Sequence, residues 1–359
     1  MSKTGNLVNT DIKVSSPGKA FAKFFFSTFI IIIVLGIGCL YLVSSILDKQ
    51  LFNKGTDTGT EIGMLIPPEG MFTTDPEFVN ANRVNVLLLG NTKEQLSDTI
   101  MLASYDQDTQ DIDIISIPRD TYHVKEGYTD TATKKINAAF WGDPKSSAQA
   151  VHEVLAGIPI NYYAVVDYDG VANIVDAIGG VDINVPFDMN YEKHSENPPL
   201  IIHLKAGYQK LDGKDAVGYI RYRKGYKDGD YGRVAAQQEF VKQAIKQSMG
   251  LNLPSVATAA IRNVDSDITL RTILSLAKEV SDADSNAVET YTIPGNSGMY
   301  NGLSFFFEDL QQTESMLRAI YSKMDFEVTN SAITGPDDPN FRIWEGSLHL
   351  QNTTDNTDI

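Results

Sequence analysis

The spacing of apolar and polar positions divides the chain into successive stretches. From Phe24 to Leu47 no residue is charged, and Phe29 to Leu35 is continuously apolar. A bilayer-spanning helix needs roughly 20 apolar residues, so this run predicts one transmembrane helix over 24–47. It exceeds the apolar core of a cleaved signal peptide, and no convincing small-residue cleavage site follows it. Residues 48–80 read as a linker, since Gly55 to Thr60 is small and polar and Pro67-Pro68 with Gly70 breaks regular structure. As a flexible coil such a segment has a root-mean-square span of about 30 Å, which would keep the following domain near the membrane.

The globular pattern fills 81–330. Val84 to Leu89 is an apolar run of strand length, interrupted only by Asn85 and closed by Gly90, the pattern of a strand buried on both faces. Thr99–Tyr105 and Asp111–Ile117 predict further strands, with Asp106 to Gln110 as a hairpin loop between them. Helical spacing follows at 134–141, 146–156 and 169–178, with strands at Tyr162–Val166 and Val181–Val185, the latter ended by Pro186. Helices are expected again at 212–220, 231–249, 270–280 and 308–323. This interleaving predicts an α/β domain, a mixed central sheet with helices on both faces. Residues 335–359 lack a core pattern and read as a mobile tail.

Charge refines this picture. Lys3, Lys13, Lys19 and Lys23 precede the apolar run against Asp11 alone, while the charges after it nearly balance. The positive-inside rule then places residues 1–23 in the cytoplasm and the domain outside a single-pass cell membrane anchor. A net charge of −16 argues against nonspecific nucleic-acid binding. The single cysteine, Cys39, rules out an intrachain disulfide, and an outside domain without disulfides fits a Gram-positive bacterium. No P-loop, dinucleotide fingerprint, nucleophile elbow or HExxH motif occurs, and the five histidines lack zinc-ligand spacing. Outside the membrane there is no ATP supply, so any bond-forming reaction must use a group already activated on its substrate.

Three segments could carry chemistry. In Ser116-Ile117-Pro118-Arg119-Asp120-Thr121 the proline stops a strand and sets Arg119 and Asp120 at the sheet rim; the alternative is a surface Arg–Asp pair worth little. In Arg221-Tyr222-Arg223 the two arginines share a side if the preceding helix has ended there. A helix from about Tyr231 would put Arg233 and Gln237 four residues apart on one face, with Asp230 at its cap. Guanidinium forks match phosphate oxygens in pairs, so a convergent set suits a diphosphate; the alternative is a solvated helix end. The third segment, Lys134 to Phe140, taken alone reads better as the start of an amphipathic helix with its lysines outward.

Together these segments resemble the LytR–CpsA–Psr family of cell-wall glycopolymer transferases. The resemblance runs in order through Asn85 to Gly90, Ser97 to Met101, Ser116 to Thr121, Lys135 to Phe140, Ile178 to Val181, Arg221 to Arg223, and Gly229 to Arg233 with Gln237. It implies an α/β/α core over 81–330 that holds a polyprenyl-pyrophosphate-linked glycan and transfers its phosphate-linked polymer to peptidoglycan. It further implies that Arg119, Arg221, Arg223 and Arg233 hold the diphosphate, that Lys135, Asp230 and Gln237 complete or orient the site, and that Asp98 ligates Mg2+. Asp98 and Asp120 both stand as general-base candidates. The family's second metal aspartate is missing, since Thr92 occupies its place with Glu94 nearby, and Ala236 stands where an arginine is common. A noncatalytic lipid-diphosphate sensor or a hydrolase on the same fold are the alternatives. A polyprenyl carrier would need an apolar groove, for which Val151, Val154, Leu155, Phe240, Val241 and Ile245 have the spacing.

Overall fold

The computed structural model describes residues 78, 82–91, 96–125, 127–227, 230–249, 262–269, 272, 276 and 288–344. All lie in the compact unit from Ile62 to Ile359. The expected spanning run of 24–47, its leading segment and most of the 48–80 linker lie outside them, and no helix among the described residues is long and apolar enough to cross a membrane.

Six strands form the central sheet: β1 (Arg83–Asn91), β2 (Ser97–Asp106), β3 (Ile112–Ser116), β4 (Tyr162–Val166), the short β9 (Asp265–Ser266) and β10 (Val288–Thr292). They lie in the order β10-β3-β2-β1-β4-β9. β1 is parallel to β4 and β3 to β10, while β2 runs against both of its neighbours, so the sheet is mixed. Successive side chains on a strand point to opposite faces, and here the two sets enter different cores. Leu87, Leu89, Ile100, Leu102, Ile115 and Ile117 pack with helices α1 (Pro144–Val154) and α5 (Leu310–Ser322). Leu88, Met101, Ile112 and Ile114 turn the other way, toward Val241 and Ile245 of α4 (Asp230–Met249). Helices therefore cover both faces, as the sequence pattern requires.

That separation corrects one expectation. Val151, Val154 and Leu155 are buried on the first face, Phe240 belongs to another core, and Val241 and Ile245 lie on the opposite face. The sheet divides these residues, so they line no common groove.

The remaining core holds α2 (Tyr168–Ala177), α3 (Gly213–Arg221) and two hairpin ladders, β5 (Val181–Val185) with β8 (Gly207–Leu211) and β6 (Met189–Lys193) with β7 (Leu200–Leu204). A last hairpin joins β11 (Gly295–Tyr300) to β12 (Leu303–Glu308). Aspartates cap four helices: the side chains of Asp143, Asp167, Asp212 and Asp309 accept backbone N–H bonds in the first turns of α1, α2, α3 and α5.

Three more expectations change. The helix expected at 134–141 is two short 3-10 turns, Thr131–Lys134 and Ile136–Ala139, because Lys135 is extended and bridges to Tyr122. Strands β6, β7 and β8 occupy a stretch for which the sequence predicted no element, because their exposed positions mix polar residues with the apolar Ile201 and give no clean alternation. The tail expected from residue 335 is anchored at least through Trp344. Phe341 packs on Tyr122 and Phe307 at centroid distances of 5.8 and 6.1 Å, and Trp344 meets the His152 ring at 5.0 Å. The helix expected at 270–280 falls almost wholly outside the described residues.

Candidate functional site

Strands β1, β3, β4 and β10 run the same way, and the candidate residues gather at their carboxyl ends, where open α/β sheets bind ligands. Asp98 stands at the start of antiparallel β2, which brings it to this rim. Arg119 follows β3 after Pro118, and Tyr168 follows β4 as the first residue of α2.

Asp98 is the centre. Its Oδ1 accepts from Arg119 at 2.5 Å and its Oδ2 from Arg223 at 3.2 Å, while Arg233 donates to its carbonyl at 3.5 Å. Three arginines from three segments therefore converge on one residue. Asp120 extends the chain of charge, with Lys135 Nζ on its Oδ1 at 3.0 Å and Arg119 Nε at 4.0 Å. Lys135 reaches this place because its extended backbone interrupts the 3-10 turns, and its ammonium lies 5.3 Å from the centre of the Phe305 ring.

Helix α3 ends at Arg221, and Tyr222 is extended, which meets the condition for Arg221 and Arg223 to act on one side. Arg223 goes to Asp98, while Arg221 binds Glu196 Oε2 at 2.7 Å and lies 4.4 Å over the Tyr168 ring. Gln237, buried on α4, donates to the Ile220 carbonyl at 3.0 Å and so fixes the turn that carries Arg221. Arg233 is 2% exposed on the same helix. Asp230 is the first residue of α4.

Two participants carried no sequence signal that was used. Burial, and then the nearby Asp98 charge, push the Tyr168 phenol above its usual range, against the opposing pull of Arg221, Arg223 and Arg233. Tyr168 thus sits in the field of the whole cluster, and an aromatic at a strand's carboxyl end was the available clue. Glu196 lies in the β6–β7 turn, and its hydrogen bond from Arg221, helped by Lys193, outweighs partial burial and holds its carboxyl below the usual range.

Magnesium favours several oxygen ligands in near-octahedral array. Among the described residues no group of three histidine, cysteine or acidic side chains occurs, and both Asp98 oxygens are engaged by guanidinium groups. Thr92 and Glu94 lie outside the described residues. As described, this donor set does not fit a resident magnesium ion.

Comparison with known proteins agrees with the architecture. The model of the LytR_cpsA_psr family matches residues 53–321. The chain belongs to the LytR_cpsA_psr family. Among its relatives, the polyisoprenyl-teichoic acid–peptidoglycan teichoic acid transferase TagV of Bacillus subtilis is 31% identical over 245 residues, covering 66% of this chain and 62% of TagV. The match thus spans just under two thirds of that relative's own length. The transferase TagU of Bacillus mycoides is 32% identical over 224 residues, 59% of this chain and 69% of its own. The crystal structure of Bacillus subtilis TagV superposes with a TM-score of 0.57 at 28% identity, covering 68% of this chain and 99% of that one. The LytR_cpsA_psr assignment therefore rests on sequence and fold together.

Proposed function

We propose that this protein transfers a phosphate-linked glycopolymer from a polyprenyl-diphosphate carrier to peptidoglycan. The observation that carries the reading is the convergence of Arg119, Arg223 and Arg233 on Asp98. A cluster that grips one carboxylate with two guanidinium groups can grip a diphosphate better, because each phosphate offers more oxygens in matching geometry. The relatives TagV and TagU, named as polyisoprenyl-teichoic acid–peptidoglycan teichoic acid transferases, support the same substrate classes.

The chemistry follows from the charges. A sugar hydroxyl of the acceptor attacks the phosphorus that carries the glycan. A new P–O bond forms, the bridging P–O bond breaks, and polyprenyl phosphate leaves with the electron pair. The hydroxyl proton passes to Asp98 or Asp120, the two carboxylates inside the cluster. Arg119, Arg223 and Arg233 neutralise the charge that grows on the leaving phosphate, and Arg221, held by Tyr168 and Gln237's turn, extends that field. The donor's own diphosphate bond supplies the driving force.

The uncharged run of 24–47 anchors the domain, with the lysine-rich segment in the cytoplasm and the site outside, where peptidoglycan lies. Protease added to intact protoplasts should then digest the domain and spare the N-terminus. Incubating the full-length protein with a lipid-diphosphate glycan and peptidoglycan fragments tests the transfer. A joined product with released polyprenyl phosphate supports it; free phosphorylated glycan would make the protein a hydrolase, and binding without turnover a sensor.

A further inference from the structure

Beside the arginine cluster lies a cavity of about 660 Å³ that the transfer chemistry does not use. Its walls are the first turns of α4, the end of β10 with the turn after it, Phe306 of β12, Met316 of α5, and the segment 328–331. The volume falls within the range of about 300–1,000 Å³ typical of small-molecule sites.

The lining chemistry is selective. No described lining residue is charged, in a chain where 21% of residues are. Thr290, Thr292, Asn296, Thr329, Asn330 and Ser331 bring neutral hydroxyl and amide groups. Tyr231, Tyr291 and Phe306 bring aromatic rings. Among the described lining residues a phosphate would meet no cation to pair with. A polyprenyl chain would strip water from the side chains of Thr290 and Asn330 and offer them no hydrogen bond in return, while Thr292, Asn296, Thr329 and Ser331 already have partners within the protein. A sugar ring satisfies both halves of the lining. Its hydroxyls pair with neutral donors and acceptors, and its C–H faces lie against the electron-rich faces of aromatic rings.

The cavity is also tied to the cluster on two sides. Tyr231 and Gly232 line it, and Arg233, the next residue on the same helical turn, reaches the Asp98 carbonyl. Phe306 lines it as well, and its backbone N–H donates to the Asp120 carbonyl at 2.9 Å while its own carbonyl accepts from Tyr122 at 2.8 Å. The walls are held in place before any ligand arrives. Gln238 Nε2 donates to the Tyr291 carbonyl and to Thr292 Oγ1, Asn296 donates to the Ser331 carbonyl, and Tyr231 packs edge-on to Phe306 at 6.1 Å.

We propose that this cavity is a glycan subsite that seats an uncharged sugar ring next to the diphosphate. It rests on the transfer reading above for its biological role, and not for the binding itself. The ring could come from the donor polymer or from the peptidoglycan acceptor, since both offer neutral sugars, and the experiment separates them. The full-length protein is titrated calorimetrically with chitotetraose, a neutral N-acetylhexosamine oligomer, in the presence of inorganic pyrophosphate, and with pyrophosphate alone. Asn330 is exposed on the outer wall, so Asn330→Trp fills the cavity without disturbing the core, and Asn330→Ala removes only its amide. Saccharide affinity should fall at least tenfold for Asn330→Trp and about threefold for Asn330→Ala, with pyrophosphate affinity unchanged in both. No saccharide binding by the wild type, or equal binding by Asn330→Trp, would overturn the subsite. In turnover, Asn330→Trp should raise one KM at least tenfold with kcat preserved; a rise for peptidoglycan fragments assigns the ring to the acceptor, a rise for the lipid-diphosphate glycan assigns it to the donor, and no rise overturns the proposal. Wild-type saccharide binding lost in Asn330→Trp, without turnover by either, would sink the transfer reading and leave the subsite standing.

Discussion

The two ends of the central sheet both pair arginine with aspartate, and they do opposite things with the pair. At the amino end of β1, the Arg83 side chain is 2% exposed, bound to Asp113 at 2.7 Å, Asp106 at 3.4 Å and Ser104 at 3.0 Å, and stacked on Tyr321 at 4.8 Å. Lys323, in the left-handed cap that ends α5, closes the cluster onto Asp106 and Asp111. Two cations there meet three carboxylates, with Arg83, Asp106 and Asp113 buried and Lys323 and Asp111 at the solvent edge. At the carboxyl end, Arg119, Arg221, Arg223, Arg233 and Lys135 surround Asp98, Asp120 and Glu196, and the Arg223 side chain is 50% exposed. The first cluster has its anions built in and locks the last helix to the sheet. The second has more cation than carboxylate and an open side, which is the arrangement an anionic substrate needs. Ion-pair geometry alone does not distinguish a strut from a binding site; the balance of charge and the access to water do.

Breaking the buried end should have the largest effect. Asp113→Ala removes the shorter of Arg83's two buried ion pairs and leaves only Asp106 at 3.4 Å, which costs up to about 3–5 kcal/mol and should appear as a lowered denaturant midpoint. A midpoint within error of the wild type would mean that Arg83 has no structural role. At the open end, Arg223→Ala should leave that midpoint nearly unchanged. Losing one charge-assisted pair to the diphosphate costs about 1.5–3 kcal/mol, so pyrophosphate affinity should fall at least tenfold, and Arg223→Lys should recover little because an ammonium lacks the paired geometry. An affinity equal to wild type in both variants would reduce this end to a solvated charged face.

Acid should act next on the buried end. Burial works against the charged forms of Asp106 and Asp111, but backbone and Lys323 hydrogen bonds, with the Arg83 and Lys323 charges, hold both carboxyls below the usual range. For a depressed carboxyl the stabilisation is complete above its unfolded value, about 3.9, and disappears as pH falls through the folded one. Asp106→Asn should therefore flatten the loss of thermal stability below about pH 4; melts whose pH profile matches the wild type would mean that the buried end adds nothing to acid stability.

Two smaller effects concern the open end alone. Magnesium should bind poorly to the protein by itself, because both Asp98 oxygens are held by arginines. Pyrophosphate, by drawing those guanidinium groups to itself and bringing its own oxygens, should raise magnesium affinity in calorimetry; tight binding without it would show that a carboxylate such as Glu94 already completes the metal's ligand set. Glu196→Gln should release Arg221 from its pair. A partly buried pair near the surface, with side chains 21% and 27% exposed, is worth about 1 kcal/mol, so pyrophosphate affinity should rise by about fivefold. A fall would show that Glu196 positions Arg221 for the substrate instead of competing with it.

The pattern of residues was enough to specify strands β1 to β5 and most of the cations of the site. Val84 to Leu89 read as a strand buried on both faces because, Asn85 apart, it is apolar, short for a core helix and closed by Gly90. Pro118 placed Arg119 at a strand end, and the spacing of Arg233 and Gln237 gave one helix face. These features were legible because period, chain breakers and caps are local, and a few residues of chain carry the whole signal. Arg83 was not legible as a buried strut, since it lies just before the apolar run and meets Asp113 only after a hairpin and a strand pairing bring them together. The same holds for Tyr168 and Glu196 around Arg221, for Lys135, whose extended backbone is set by its bridge to Tyr122, and for Trp344 against His152. The neutral cavity exists only where α4, β10 and the 328–331 segment meet. Contacts of this kind depend on which faces pack against each other, and no local pattern records that choice; only the tertiary structure made it.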